Sequence, residues 1–336
     1  MTQTFEIAVI GATGTVGETL VQILEELEFP VGTLYLLAGS NSAGASVPFR
    51  GKNVRVKEVD TFDFSKVQLA FFAAGPAVTL SFAPRATAAG CAVIDLSGAL
   101  PAEQAPQVVP QANAHVLKAL KKPFQLGSPS PCATYLAVVL APLRGVVDIQ
   151  RVSVTANLAI SAQGREAVSE LARQTAELLN VRPLEPAFFD RQVAFNLLAQ
   201  VGTPDAQGHT ALEKRLVHEL RAVLETPLLK ISATCVQAPV FFGDSLTVSL
   251  QLTAPVDLAA VNRALEAAPG IELVEEGDYP TAVGDAVGQD VVYVGRVRAG
   301  IDDPAELNLW LTSDNVRKGS ALNAVELAQL LIKGLV

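Results

Sequence analysis

The chain has 336 residues, half of them hydrophobic, and a net charge of −9 at pH 7, and this length suits two domains with large cores. The acidic balance argues against a nucleic-acid partner, which selects a basic face, and no apolar run reaches the roughly 20 residues that cross a membrane. Three widely spaced cysteines argue against a disulfide framework and for the reducing cytoplasm.

A glycine-rich turn lies near the start of the chain. Gly11, Gly14 and Gly17 follow a strand predicted at residues 5–10 and precede a helix predicted at residues 18–27. This order is typical of dinucleotide sites, because glycine lets the backbone approach a pyrophosphate and the helix N-terminus offers N–H donors. The alternative is a tight turn without a ligand. The predicted cofactor contacts are Gly11, Thr13, Gly14, Thr15 and Val16.

A second small-residue loop follows the strand predicted at residues 33–37. Sites that prefer NAD usually have an acidic residue in this loop. Residues 38–44 contain none, so the loop favours the 2′-phosphate of NADP. The alternative is an ordinary serine-glycine turn. Strands predicted at residues 67–72 and 92–94 flank a helix at residues 80–89, and this alternation predicts a doubly wound parallel sheet. Further predicted cofactor contacts are Ser40, Ser42, Ala43, Gly44 and Gly75.

Cys132 is the candidate nucleophile. Prolines and serines precede it and an apolar run follows, which predicts a helix start. The positive end of the helix dipole favours the thiolate, but a thiol nucleophile normally also needs a base, usually histidine. The alternative is a small buried apolar side chain, which is also the interpretation of Cys91 and Cys235. The histidines are expected either at the surface or with satisfied hydrogen bonds: His115, His209 and His218.

The chain resembles the aspartate-semialdehyde dehydrogenase family from about residue 5 to about residue 331. Residues 11–17 (GATGTVG) resemble its cofactor loop, residues 40–44 (SNSAG) its 2′-phosphate loop, and residues 74–100 the stretch that ends in a substrate-binding arginine. The resemblance implies NADP as cofactor, a homodimer and a role in amino-acid biosynthesis. It also implies a Rossmann-like domain at residues 1–131 plus 316–336 and an α+β catalytic and dimerisation domain at residues 132–315.

The second half extends the resemblance. Residues 151–158 alternate like a strand with one buried face, and a helix is predicted from Ser161 to about residue 179. The resemblance places Ser161 and Gly164 beside the cofactor and the cysteine, assigns residues 193–196 to a Phe-Asn signature, and makes Asn315 a cofactor contact. It also implies that the last helix, to residue 331, packs on the cofactor domain.

The resemblance also identifies substrate positions, several of them altered. Glu213 and Arg215 match a substrate-binding Glu and Lys, although a solvated helix face with a local ion pair is the alternative. Gln237 stands at the position of a carboxylate-binding Arg, Asp244 at that of the general-base His, and Leu100 at that of a phosphate-binding Arg. Cys132 and Asp244 are therefore the predicted catalytic pair.

These changes oppose the family's reaction, in which cysteine attacks an aldehyde, hydride passes to NADP and phosphate releases the acyl group. A missing general base typically costs about 100- to 10,000-fold in rate. We therefore expect a divergent paralogue with weak or lost activity. The alternative is a non-catalytic, NADP-binding dimeric paralogue with a regulatory or partner-binding role.

Two other families fit less well. The N-acetyl-glutamyl-phosphate reductases share the cofactor loop and the nucleophile, but residues 40–44 and 194–196 match the first family better. A short-chain dehydrogenase or sugar-nucleotide epimerase needs Tyr-x-x-x-Lys. In this chain the residues four places after the tyrosines are not lysines: Gly39, Val139, Val283 and Val297.

Overall fold

The computed structural model describes residues 3–335, which form two compact units. One unit runs up to Ser130 and resumes at Ser320, and the other runs from Pro131 to Gly319. The first unit begins with β1 Phe5–Ile10, α1 Thr15–Glu26, β2 Val31–Ala38, β3 Ser46–Phe49, β4 Lys52–Glu58, β5 Leu69–Phe72, α2 Pro76–Ala88, β6 Ala92–Asp95, α3 Pro110–Asn113 and β7 Gln125–Gly127. The second unit contains α4 Pro131–Leu143, β8 Ile149–Leu158, α5 Arg165–Leu179, α6 Ala211–Val223, β9 Lys230–Gln237, β10 Asp244–Leu252, α7 Leu258–Glu266, β11 Ile271–Leu273, β12 Val292–Ala299 and β13 Glu306–Ser313. Helix α8, Asn323–Leu335, returns the chain to the first unit.

The first unit contains a seven-stranded sheet in the order β3-β4-β2-β1-β5-β6-β7. Its strands pair in parallel except β3, which pairs antiparallel with β4. The order runs outward on both sides of β1, so the predicted doubly wound parallel sheet is confirmed. Two helices start earlier than predicted: α1 begins at Thr15 because Gly17 is itself helical, and α2 begins at Pro76, directly after its N-cap Gly75.

The apolar residues of β1 explain why helices cover both faces of this sheet. Ile7 and Val9 belong to one hydrophobic cluster together with α1 and α8, whereas Ala8 and Ile10 belong to another that includes residues of α2. A strand buried on both faces reads as a continuous apolar run, as residues 5–10 do. The predicted packing of the last helix on the cofactor domain is confirmed by Val325 and Leu331 in the first cluster.

The second unit contains a six-stranded mixed sheet in the order β11-β12-β13-β10-β8-β9. Alternate residues of β8 and β10, such as Val154 and Val248, are buried on one face, where α4, α6 and α7 contact the outer strands. On the other face Thr155 and Thr247 are exposed, and most of the other intervening residues are half-buried. This alternation is the one predicted for residues 151–158.

No helix among the described residues is long and apolar enough to cross a membrane. Within residues 3–335 no group of three or more His, Cys, Asp or Glu side chains forms a candidate metal site.

Candidate active site

The first glycine turn lies at the carboxyl end of β1, where the backbone leaves no room for a side chain. Gly11 has a φ of +84°, and a Cβ there would lie 2.5 Å from the carbonyl oxygen of Ala73, which follows β5. A Cβ on Gly17 would lie 2.1 Å from the Gly11 oxygen. Glycine is therefore required at both positions. The turn brings the ends of β1 and β5 into contact, at the edge where dinucleotides bind in such sheets.

Helix α1 begins directly after this turn and presents its N-terminus there. Its N-cap, Gly14, has no side chain to bond the first N–H groups of the helix. Thr13 lies in the turn, and Thr15 and Val16 are the first two helical residues. Gly75 caps α2 in the same way, at the end of β5. The N-terminus of α1 therefore leaves N–H donors for a phosphate, as the sequence predicts, whereas α2 offers fewer because its first residue, Pro76, has no N–H.

The loop after β2 is exposed and folds as a short 3-10 turn over Ser40–Ser42. Gly44 has a φ of +92° and its N–H bonds the Val56 oxygen of β4. A Cβ on Gly44 would lie 3.8 Å from the guanidinium of Arg55, an exposed residue of β4. Arg55 was not among the predicted site residues, because it enters the loop through strand pairing, Ser46 with Arg55, and not through the loop's own sequence.

Cys132 and Asp244 lie next to each other in the second unit. Cys132 is the second residue of α4 and only 6% exposed, and Asp244 is the first residue of β10 and is buried. The thiol contacts Asp244 Oδ2 at 3.8 Å, and the Ala159 N–H donates to Asp244 Oδ1 at 2.9 Å. One carboxyl oxygen therefore fixes the backbone while the other faces the sulfur.

Burial governs the electrostatics of this pair. It raises the pKa of the Cys132 thiol well above its ordinary value, and the charge of Asp244 raises it further. Burial also raises the pKa of Asp244, from 3.8 to about 7, with Asp314 adding to the effect and the Ala159 hydrogen bond opposing it. Because the thiol holds its proton more tightly than the carboxyl does, the proton stays on sulfur when the pair carries one negative charge.

Gln237 and Asp244 meet through the peptide group that joins Leu158 to Ala159. Gln237 Nε2 donates to the Leu158 oxygen at 2.7 Å, while the N–H of Ala159 bonds Asp244. Gln237 is almost fully buried, and its Oε1 has no hydrogen-bond partner among the described residues. An unpaired buried carbonyl favours a ligand that donates a hydrogen bond.

Three predicted cofactor residues of the second unit are linked near Asp244. Asn315 Nδ2 donates to Ser161 Oγ at 3.0 Å, and the Gly243 N–H donates to Asn315 Oδ1 at 3.0 Å. Gly164 follows the 3-10 turn of Ser161, has a φ of +91° and is the N-cap of α5. Asn315 thus joins the serine-glycine turn to the residue that precedes Asp244.

Glu213 and Arg215 lie on α6, where both are engaged by neighbouring groups. Glu213 Oε2 accepts from the Thr210 N–H at 2.8 Å in a capping box, and Oε1 accepts from the Cys235 N–H at 3.1 Å. Arg215 Nε donates to Glu219, a buried carboxylate, at 2.7 Å. Their substrate-binding role stays a prediction, and the geometry adds a structural role that ties α6 to β9. The Thr-x-x-Glu spacing signals that cap in the sequence.

The remaining candidates lie in the core or at the surface of their own unit. Leu100 is buried with Phe62 and Phe72 in the second cluster of the first unit. The predicted surface positions of the histidines are confirmed, since His115, His209 and His218 are all exposed. Cys91 and Cys235 are buried as predicted, and burial raises the pKa of each thiol to about 12.

Both units match domains of one family of known proteins. Residues 6–120 match the semialdehyde dehydrogenase NAD binding domain and residues 140–318 the semialdehyde dehydrogenase dimerisation domain. A USG-1 protein homolog of Azotobacter vinelandii is 60% identical over 333 residues, with 99% of each chain covered.

Two solved structures share the fold over almost the whole chain. A probable aspartate-semialdehyde dehydrogenase from Pseudomonas aeruginosa has a TM-score of 0.98 and 58% identity, covering 99% of this chain and all of that one. Aspartate semialdehyde dehydrogenase II from Vibrio cholerae, complexed with ASA, has a TM-score of 0.96 and 40% identity, covering 99% of each.

Proposed function

Since the chain belongs to the semialdehyde dehydrogenase family, we propose that it is an NADP-binding relative of aspartate-semialdehyde dehydrogenase whose family reaction is weak or lost. The observation that carries this proposal is the 3.8 Å contact of the Cys132 thiol with the buried carboxyl of Asp244. At that position the sequence resemblance assigns a histidine to the family.

The pair is poorly suited to make a nucleophile. Attack on an aldehyde needs a thiolate at Cys132 and an acceptor for its proton. Above pH 7 the ionised Asp244 opposes a second negative charge on sulfur, and below pH 7 the protonated Asp244 accepts nothing. Neither state of the carboxyl assists both steps, so we expect a very small thiolate fraction.

NADP binding is supported by the first unit. Its glycine turn and the N-terminus of α1, which no side chain caps, suit a pyrophosphate. Bound NADP would supply a hydride acceptor. The loop over Ser40–Ser42 has no carboxylate to repel a 2′-phosphate, and Arg55 adds a cation beside Gly44. We therefore propose a preference for NADP over NAD.

We also infer a homodimer and a cytoplasmic location. The match to the family's dimerisation domain supports self-association. The exposed face of the second sheet, which carries Thr155, Thr234 and Thr247, offers a polar surface for a second copy. The cysteines, all free thiols, agree with a reducing compartment.

The deciding experiment measures two quantities on the purified protein: NADPH affinity by calorimetry, and phosphate-dependent oxidation of aspartate semialdehyde by NADPH absorbance. We expect binding with very low turnover. Robust turnover that Cys132→Ala abolishes contradicts the proposal. Binding with no turnover at all supports the non-catalytic regulatory paralogue.

One observation favours a second candidate, a working dehydrogenase with Asp244 as its base. A general base is most effective when its pKa lies near the working pH, and that of Asp244 is raised to about 7. In that case kcat/KM rises with pH through about 7, and Asp244→Asn removes the inflection.

A further inference from the structure

We propose that Phe195 and the cleft beside it form the reciprocal contact of the homodimer, the phenyl ring of one copy entering the cleft of the other. This inference rests on the proposed homodimer and names the residues that make it. Phe195 belongs to residues 180–200, a segment without helix or strand between α5 and α6. The family's dimerisation domain, residues 140–318, includes the whole segment.

The backbone holds Phe195 outward in a conformation that phenylalanine rarely adopts. Its φ is +58°, and 65% of its surface is exposed. A bulky residue in the left-handed region is unusual, and such backbone persists only where surrounding contacts impose it. A large apolar side chain that is both strained and exposed suggests a surface that another molecule covers.

Buried polar groups impose this conformation. Gln174, fully buried on α5, accepts at Oε1 from the N–H groups of Val193 at 2.8 Å and Ala194 at 3.2 Å. Val193 and Ala194 are themselves buried in a small cluster with Leu171. The residue after them is therefore mounted rigidly, so little conformational entropy is lost when Phe195 binds.

A further pair of bonds closes the turn around Phe195. Gln192 Nε2 donates to the Ala194 oxygen at 2.7 Å, and Asn196 Nδ2 donates to the Gln192 oxygen at 3.1 Å. The turn is thus fixed on both sides of the ring by its own side chains.

The residues on either side of Phe195 line a cleft of about 440 Å³. It contains the exposed side chain of Leu197 and the neighbouring pair Asp190 and Arg191, which form an ion pair at 2.6 Å. A two-fold dimer brings the same patch of both copies together, so an apolar projection beside a cleft is self-complementary. The Asp190–Arg191 pair has no net charge, so the patches of the two copies do not repel each other.

The test is the dimer dissociation constant, measured by analytical ultracentrifugation of the full chain. Phe195→Asn removes the ring but suits the left-handed backbone, so the fold is kept. We expect the constant to rise on the order of 100-fold or more, because the symmetric dimer loses an aromatic anchor twice. Leu197→Asn, in the cleft, should raise it as well.

Val181→Asn is the matched control. Val181 is also exposed and apolar with a φ of +54°, but it does not line the cleft, so the dimer should be unchanged. The inference is overturned if the wild type is a dimer and Phe195→Asn does not raise the dissociation constant more than Val181→Asn does. In that case the homodimer itself remains supported. A monomeric wild type overturns both.

Discussion

Gln237 and Asp244 hold opposite sides of one peptide group. The side-chain amide of Gln237 bonds the Leu158 oxygen at 2.7 Å, and the carboxyl of Asp244 accepts from the Ala159 N–H at 2.9 Å. The positions where the sequence resemblance assigns a substrate-binding arginine and a catalytic histidine are therefore occupied by groups that fix one peptide of the backbone, and Asp244 also contacts the Cys132 thiol.

The first prediction concerns the pH dependence of stability. Asp244 has a pKa of about 7 in the folded chain and an ordinary value of 3.8. Between these two pH values the folded state therefore carries a proton on Asp244 that the unfolded state has lost. The free energy of unfolding should therefore fall by about 1.4 kcal/mol per pH unit across this window and level off above it. Asp244→Asn keeps an acceptor for Ala159 and removes the ionisation.

Urea unfolding of both proteins checks this prediction. The stability of Asp244→Asn relative to the wild type should grow by about 2–3 kcal/mol from pH 5 to pH 8. A difference between the two proteins that is the same at both pH values would show that Asp244 ionises normally in the fold.

A second prediction concerns thiol reactivity. Burial and the charge of Asp244 both raise the pKa of Cys132, so alkylation of the native protein at pH 8 should be slow. Asp244→Asn removes the charge and should speed alkylation of Cys132 about tenfold or more. Peptide mass spectrometry gives the rate at each cysteine. Cys91, whose pKa is raised to about 12 by burial alone, serves as the internal reference that the substitution leaves unchanged.

A third prediction concerns recovery of the family reaction. Asp244→His with Gln237→Arg supplies a base and a cation, and each new side chain can still bond the Leu158–Ala159 peptide. Phosphate-dependent turnover should rise by about 100-fold or more over the wild type, the usual range for a general base. The same pair combined with Cys132→Ala must return to background. If turnover stays flat in the double variant, the defect lies elsewhere in the site.

A fourth prediction separates Leu100 from this repair. Leu100 is only 8% exposed and packs in the core of the first unit. Leu100→Arg should lower the free energy of unfolding by about 3 kcal/mol or more, because it forces a long charged side chain into a packed apolar cluster. Leu80→Arg is the control: Leu80 on α2 is exposed, so its change should fall within about 0.5 kcal/mol. Equal losses in the two variants would contradict the buried position of Leu100.

A fifth prediction tests Arg55 as the 2′-phosphate cation. Loss of a charge-assisted contact of about 1.5–3 kcal/mol should raise the NADPH dissociation constant of Arg55→Ala roughly 10- to 150-fold. NADH affinity should not change, since NADH lacks the phosphate. Lys52→Ala is the matched control, because Lys52 is an exposed cation at the start of the same strand, β4. Parallel losses for both cofactors would exclude a phosphate contact.

The fold was largely predictable because its signals are local. The apolar residues 5–10, the glycine turn and the helix after it predicted the parallel sheet, and the structure confirms it. Helix starts were less accurate, since residues of the turn itself, Thr15 to Gly17, join α1.

The site was less predictable because its contacts join distant parts of the chain. The bonds of Gln237 and Asp244 to one peptide, and the approach of Arg55 to Gly44, depend on sheet register that no local pattern encodes. Glu213 is a different case: Thr210 and Glu213 have the spacing of a capping box, so its structural role was visible in the sequence.

The shared peptide at Leu158–Ala159 makes positions 237 and 244 an epistatic pair. When one of the two residues is substituted, the other still restrains the same peptide. The free-energy changes of the two single variants should therefore not add up to that of the double variant.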